Sequence, residues 1–413
     1  MRPGWNANPL SDVAQFINGL WKGEAPPFVH VGVIRNTNFT KDGQLDDTDI
    51  AYIDVETKKF QKRRLQPGDL ILEKSGGGPK QPVGRVVFFN KTDGEYSFSN
   101  FTAAIRVMDP AVLDPRFLHL YLHWVYISGR TEAMQSHSTG IRNLNGNAYK
   151  AIEVVYPSLA EQRRIVAILD EAFEGIATVK AHADKILRNA RELFASRMRN
   201  LFEQDAGWER VRLEELLGRS WITSHLDGNH GSDYPRKEEF VDSGVPYIAA
   251  SAIKSGTVDF GEAKYLSPQR AATIRKGLAK NRDVLFAHNA TVGPVAILST
   301  TEDVVILGTS LTYYRCDPQH IHPEYLAHFM MSPAFTGQYR QVMKQSTRNQ
   351  VPITKQREFF HIIPPIDVQR QIADDLDALA EQIERLVEAE TRKLSALDEL
   401  KQSLLHQAFS GQL

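Results

Sequence analysis

The residues that could do chemistry are few, and each fails a test of spacing or surroundings. SGGGPK (residues 75–80) has the glycines and lysine of a phosphate cradle. It lacks the GxxxxGKS/T spacing, and its Lys80 does not open a helix. His119 and His123 stand four apart, a spacing that lets two imidazoles face one metal from a helix. Their neighbours are aromatic and no HExxH follows, so they read as packed side chains. His225 with His230, and His320 with His322, fall in polar stretches without cysteines or a carboxylate pattern, and read as solvated turns. Cys316, inside TYYRC, reads as buried filler. The chain has no GxGxxG turn and no Asn/Asp-Pro-Pro-Tyr/Phe tetrapeptide, and no nuclease-like pair of acids followed by Glu-x-Lys stands out. Nothing among these residues asks for a catalytic site, a metal site or a cofactor.

What would position a binding surface is a duplication. PSLAEQRRI (157–165) returns as PPIDVQRQI (364–372), with Pro157 and Pro364, Gln162 and Gln369, Arg163 and Arg370 all 207 positions apart. The offset continues through Leu169 and Leu376, Asp170 and Asp377, and Phe202 and Phe409. A repeat of that length outranks other signals and marks a duplicated domain rather than a solenoid. Each copy continues as a helix. In the first, Ile165, Leu169, Ala172, Ile176, Val179, Ala183, Ile186, Ala190 and Leu193 follow a 4-3-4-3 spacing, a heptad seam that keeps one face toward a partner helix. Ser158 with Glu161 predicts a capping box at its start. In the second, Ile372, Leu376, Leu379, Ile383 and Leu386 keep the seam until Glu390 and Lys393 interrupt it, and it resumes through Leu397, Leu400 and Leu404. Helices of this kind are on the order of 65 Å long at about 1.5 Å per residue.

Upstream of each helix lies a mixed segment with the same order of parts. LQPGDLILEKSGGGPKQPVGRVVFF (65–89) predicts strand, glycine-rich turn and strand, and LAKNRDVLFAHNATVGPVAIL (278–298) is its counterpart. A β-rich stretch (96–107; 304–314) and a short aromatic helix (117–128; 323–332) follow in both. The fold class is therefore α+β: two similar mixed domains, 1–156 and 204–363, each followed by a long helix, 157–203 and 364–413, the two helices pairing as an antiparallel coiled coil. KKFQKRR (58–64) is the densest basic run and predicts a solvated strand face.

Composition sets the compartment and the limits on binding. With 42% apolar and 24% charged residues the chain is an ordinary globular one, and its single cysteine predicts a reducing, cytoplasmic setting. No signal sequence and no run of eighteen apolar residues is found, so no membrane contact is expected. A net charge of −1 tells against clinging to nucleic acid by bulk electrostatics. Local clusters must do it. The last helix is acidic, with five Lys and Arg against ten Asp and Glu over 364–413.

YPSLAEQRRIVAILD, IPPIDVQRQIADDLD, the C-terminal LLHQAFSGQL and PGDLIL (67–72) resemble the specificity subunit of type I restriction-modification systems across essentially the whole chain. The resemblance implies two target-recognition domains, each reading one half of a split site in double-stranded DNA, with the helices as a spacer. It implies that adenine methylation belongs to two modification subunits and cleavage to ATP-driven restriction subunits, so that S-adenosylmethionine, ATP and Mg are expected in the partners. The residues expected at the DNA are Ser138, Thr139, Arg142 and Asn143 in one loop and Ser346, Thr347, Arg348 and Asn349 in the other, because hydroxyls and Arg hold phosphates while Asn and Arg pair with base edges. Lys74, Lys80 and Arg85, and His288 and Asn289, at the strand-turn-strand tips, complete the set. A coiled-coil scaffold that binds proteins without DNA specificity, and an enzyme with fused methylation activity, are the other readings the residues allow.

Overall fold

The computed structural model describes residues 4–20, 23–78, 81–138, 141–203, 207–228, 231, 234–344 and 349–413. They fall into two compact units, Met1–Ala183 with Thr391–Leu413, and Asp184–Glu390. The expected domain borders at 156 and 363 coincide with the ends of strands Glu153–Tyr156 and Phe360–Ile363. The units nevertheless divide inside the central helix (Leu159–Glu203) and the C-terminal helix (Ile366–Ser410), because each unit packs one part of both.

The first unit holds a four-stranded antiparallel sheet in the order Ala14–Asn18, Thr102–Val107, Leu70–Glu73, Val86–Phe88. A second sheet orders Ala51–Glu56, Phe28–Ile34 and Tyr96–Phe98, the last two parallel. The second unit repeats the first sheet as Ile222–Asp227, Leu311–Cys316, Val284–Asn289, Thr291–Ile297. Its second sheet again has a parallel pair, Val245–Ile248 with Val305–Leu307. The aromatic helices are Pro115–Ile127 and Pro323–Met331, each with proline in its first turn. Proline fits there because the first N–H groups of a helix have no intrahelical partner.

Three devices recur in both units. Asp69, almost fully buried, takes Arg106 Nε and Nη2 at 2.7 Å each, and Asp283 takes Arg315 at 2.9 and 2.7 Å. Gly19 and Gly228 are crossed so closely by a neighbouring backbone that a Cβ would lie 1.8 Å from the Ser99 oxygen or 1.9 Å from that of Gly308, so only glycine fits. The third device explains the repeated Gln-Arg phrase. Gln162 Nε2 donates to the carbonyls of Val112 and Pro157 at 2.9 Å, and its Oε1 accepts from Asp114 N at 2.8 Å. Gln369 Nε2 donates to His320 and Pro364 at 2.9 and 2.8 Å, and its Oε1 accepts from His322 N at 2.9 Å. Asp114 and His322 are the N-cap residues of the aromatic helices. Each glutamine therefore staples the start of a long helix to the start of a short one.

In the first unit Ile165 and Leu169 share a core with Leu405, Ala408 and Phe409, and Lys180 pairs with Asp398. In the second, Met198 and Phe202 share a core with Ile372, Ala373 and Leu376, and Arg197 lies 3.9 Å from Asp375. Rising numbers on one helix meet falling numbers on the other, so the paired segments run antiparallel. Phe409 packs on Phe117, Tyr121 and Trp124, and Phe202 on Tyr325 and Phe329, which is why both helices carry a phenylalanine one residue before their end.

The seam is half as expected. Ile165, Leu169, Ile176, Ala183, Ala190, Ile372 and Leu376 are buried, and Leu379, Ile383, Leu397 and Leu404 are half-buried. Val179, Ile186, Leu193, Leu386 and Leu400 are exposed. Lys180, Leu187 and Phe194 turn inward in their place on the central helix, and Val387 and Lys401 on the other. A step of three and a step of four both stay on the apolar stripe at 3.6 residues per turn, and only the partner decides which flank is covered. The Ser158 cap forms from Glu161 N at 3.5 Å, but the Glu161 carboxylate binds Arg164 instead of closing a box.

Other expectations shift with burial. His119 and His123 are packed as expected, His119 against the Gly43 carbonyl. KKFQKRR forms helix Thr57–Gln61 and a turn, with Phe60 buried, rather than a strand. His225 is in the core, not a turn. Its Nε2 meets Gln356 Oε1 at 3.2 Å, beside buried His361. Burial pushes the His225 imidazole down to about 3 and that of His361 to about 4. Both lie below the unfolded value near 6.5, so their neutral forms contribute stability that is complete above about pH 6.5 and is lost as pH falls toward 4. Each should cost the second unit about 1–2 kcal/mol between pH 7 and 5. A urea midpoint that stays put over that range would contradict this. Among the described residues no helix is long and apolar enough to cross a membrane.

Candidate nucleic-acid interface

In each unit the strand-turn-strand tip and the loop before the long helix meet. In the first, strand Ser75–Gly77 joins Ile141–Leu144, which joins Gln135–Ser138. Arg142 faces Gly77 and Asn143 faces Ser75, whose Oγ donates to Asn143 Oδ1 at 2.6 Å. Lys74 Nζ reaches Asn18 Oδ1 at 3.2 Å, and partial burial lowers its pKa. Ser138 ends its strand, while Thr139 and Lys80 lie outside the described residues.

In the second unit the hairpin Val284–Asn289 to Thr291–Ile297 turns at Ala290, whose φ is +63°. Asn349 clasps that turn: its carbonyl accepts from Ala290 N at 3.0 Å, and its Nδ2 donates to the Ala290 carbonyl at 2.5 Å. Asn289 bridges to Gln350. Ser346, Thr347 and Arg348 lie outside the described residues. The expected segments are thus neighbours in both halves.

Two expected contacts are corrected. Arg85 is 7% exposed, with Nε 2.8 Å and Nη2 2.9 Å from Glu73 and Nη1 on the Phe39 carbonyl. A guanidinium so fully engaged inside the protein is not a phosphate ligand. His288 is 3% exposed, its Nδ1 at 3.0 Å from the Val351 carbonyl, so it anchors the following loop instead of reaching outward. Sequence reading missed Phe101, 45% exposed beside the tip, where its carbonyl accepts from Lys74 N and Ser75 N. It also missed Asn36, whose Nδ2 donates to the Ser75 carbonyl at 3.4 Å. Neither carries a motif, because chain segments far apart in sequence deliver them.

The sequence pattern of the type I restriction modification DNA specificity domain matches residues 3–188 and again 206–394. The chain belongs to that family. The two matches follow the two duplicated halves, so it carries two such specificity domains, and a scaffold without DNA specificity is not favoured. The specificity subunit of the type I restriction enzyme EcoKI of Escherichia coli K12 is 24% identical over 99% of this chain and 89% of its own length. That of StySPI of Salmonella potsdam is 22% identical over the same shares. Among solved structures, a chain from a study of assembly and conformational transition in the type I R-M system aligns with a TM-score of 0.77 at 18% identity, covering 100% of this chain and 99% of that one. The HsdS subunit from Thermoanaerobacter tengcongensis aligns at 0.60, also at 18% identity, covering 100% and 98%. Those likenesses extend the specificity-subunit fold over the whole chain.

Proposed function

We propose that this chain selects the DNA sequence for a type I restriction-modification complex, each recognition domain reading one half of a bipartite site through its tip and adjoining loop. The observation that carries this is two copies of one scaffold ending in dissimilar tips, Lys74-Ser75-Gly76 against His288-Asn289-Ala290. One scaffold with two surfaces suits an asymmetric site, and two modest half-site affinities on one chain multiply into a strong one. Phosphate contacts from Lys74 and Arg142 would set register, and Asn143, Asn289 and Asn349 would meet base edges.

In this reading the chain is a non-catalytic subunit. It meets double-stranded DNA, two modification subunits that bind S-adenosylmethionine, and restriction subunits that use ATP and Mg. Asp374, Asp375, Glu381 and Glu388 are exposed on the C-terminal helix and would suit a basic protein surface. The paired helices would set the gap between half-sites.

The test is selection from random duplexes by the chain bound to its modification subunit. A split motif with a fixed gap is expected, and inserting one heptad into both long helices should change the gap and neither half-sequence. Indifference to sequence would sink the proposal, and an unchanged gap would sink the spacer role.

A further inference from the structure

Beside the tip of the first unit lies an open cavity of about 420 Å3, lined by Asn36, Lys41, Glu73, Gly76, Gln81 and Arg85. Its floor is the Glu73–Arg85 ion pair, with Glu73 1% and Arg85 7% exposed. A buried ion pair is weak evidence of stability, since desolvation offsets much of its attraction. One placed under a surface cavity calls for another role.

Two amides stand above it. With its oxygen turned toward the guanidinium, Gln81 accepts from both Arg85 Nη atoms at 2.8 Å. Its exposed side chain then has the NH2 group to offer a ligand. Asn36 is held by Nδ2 contacts to Glu73 Oε1 at 3.5 Å and the Ser75 carbonyl at 3.4 Å, and its own carbonyl accepts from Arg85 Nη2 at 3.3 Å. Gly76, with φ +104°, leaves room for it, because a Cβ there would lie 2.6 Å from Asn36 Nδ2. Lys41 is exposed at the rim. A buried carboxylate thus fixes a guanidinium, which fixes the Gln81 oxygen and leaves its NH2 group unspent, while the Asn36 amide is held to Glu73 and Ser75.

The duplicate half supplies an independent comparison. The hairpin registers align Leu70↔Phe88 with Val284↔Ile297, which puts Glu73 in step with Ala287 and Arg85 with Pro294. The short turns after the parallel strands, Asn36–Asn38 and Ala250–Ala252, put Asn36 in step with Ala250. The aspartate–arginine clamp, glutamine staple and glycine crossing are kept in both halves, while this site changes from charged and amide groups to methyls and a proline ring.

We infer that the cavity is a base-reading site of the first half, in which the Gln81 amide donates to the acceptor edge of a purine, N7 or in guanine O6, in the major groove, while Asn36, its NH2 spent on Glu73 and Ser75, positions the tip beside it. The inference rests on the DNA reading proposed above. The second half has Ala250, Ala287 and Pro294 at the matching described positions, where none carries an amide or a charge, and this makes the two half-sites different.

The experiment uses the full chain with its modification subunit, after the split motif has been determined for the unaltered protein. Gln81→Leu should reduce discrimination at one purine of one half-site about tenfold, and Asn36→Ala, which only loosens the tip, should reduce it less, both leaving the other half-site and the salt dependence unchanged. A duplex carrying a 7-deazapurine at that position should bind the unaltered protein as weakly as Gln81→Leu does, with separate adenine and guanine analogues naming the base. Gln81 is exposed, so its variant should melt with the parent, and Lys41→Ala serves as a rim control that alters salt dependence alone. Full discrimination in Gln81→Leu, or equal loss in both half-sites, overturns the inference. Absence of any motif in the unaltered protein overturns DNA reading itself, which is a separate result.

Discussion

Replacing Gln162 or Gln369 by leucine should destabilise the unit that holds it by about 2–5 kcal/mol, since three backbone groups then lose their partners inside the protein and each orphaned group costs about 1–3 kcal/mol. Both side chains are fully buried, so water does not easily replace the lost bonds. Leucine keeps the bulk, which confines the effect to hydrogen bonding. Urea unfolding followed by tryptophan emission can assign the loss, because Trp5 and Trp124 report on the first unit and Trp208 and Trp221 on the second. A shift below about 0.5 kcal/mol would mean that the staple is an ornament of the fold. The expected result also accounts for the recurrence of proline and Gln-Arg at both helix starts: the glutamine must reach its own helix's leading proline and a neighbouring helix cap at once.

The aspartate–arginine clamps should be about as sensitive, and unequally so. Arg106→Ala or Arg315→Ala leaves Asp69 or Asp283, 1% and 2% exposed, without a counter-charge, and should cost about 3–5 kcal/mol. Asp69→Ala or Asp283→Ala should cost less, because the Arg106 and Arg315 side chains are 27% and 28% exposed and can turn to solvent. Arg106 also gives up a bond to the Arg64 carbonyl, and Arg315 one to that of Leu278, so the arginine variants unpin the chain before the strand as well. Thermal unfolding of the four variants checks the order. Equal losses for aspartate and arginine variants would show that solvent exposure of the guanidinium does not matter here.

The candidate interface was legible as neighbourhood but not as contact. The tip and the loop were named from their glycines, hydroxyls, arginines and asparagines, and the strands do bring Ser75 to Asn143 and Ala290 to Asn349. Whether a given polar residue faces water was not legible. Arg85 and His288 have the composition of ligands, but Glu73 and Val351, delivered from other parts of the chain, hold them inside. Asn36 carries no signal in its own segment, RNTN, and becomes interesting only because the sheet sets it beside Ser75.

The sequence by itself determined the duplication, the order of strands and helices in each half and the presence of two long amphipathic helices, since these follow from local periodicity and from a repeat that needs no partner to be seen. Tertiary structure alone decided which flank of each helix is covered, with Lys180 and Phe194 inward and Val179 and Leu193 outward, and which charged groups are spent on the fold. Burial is a property of what lies opposite, and residues far apart in the chain supply it.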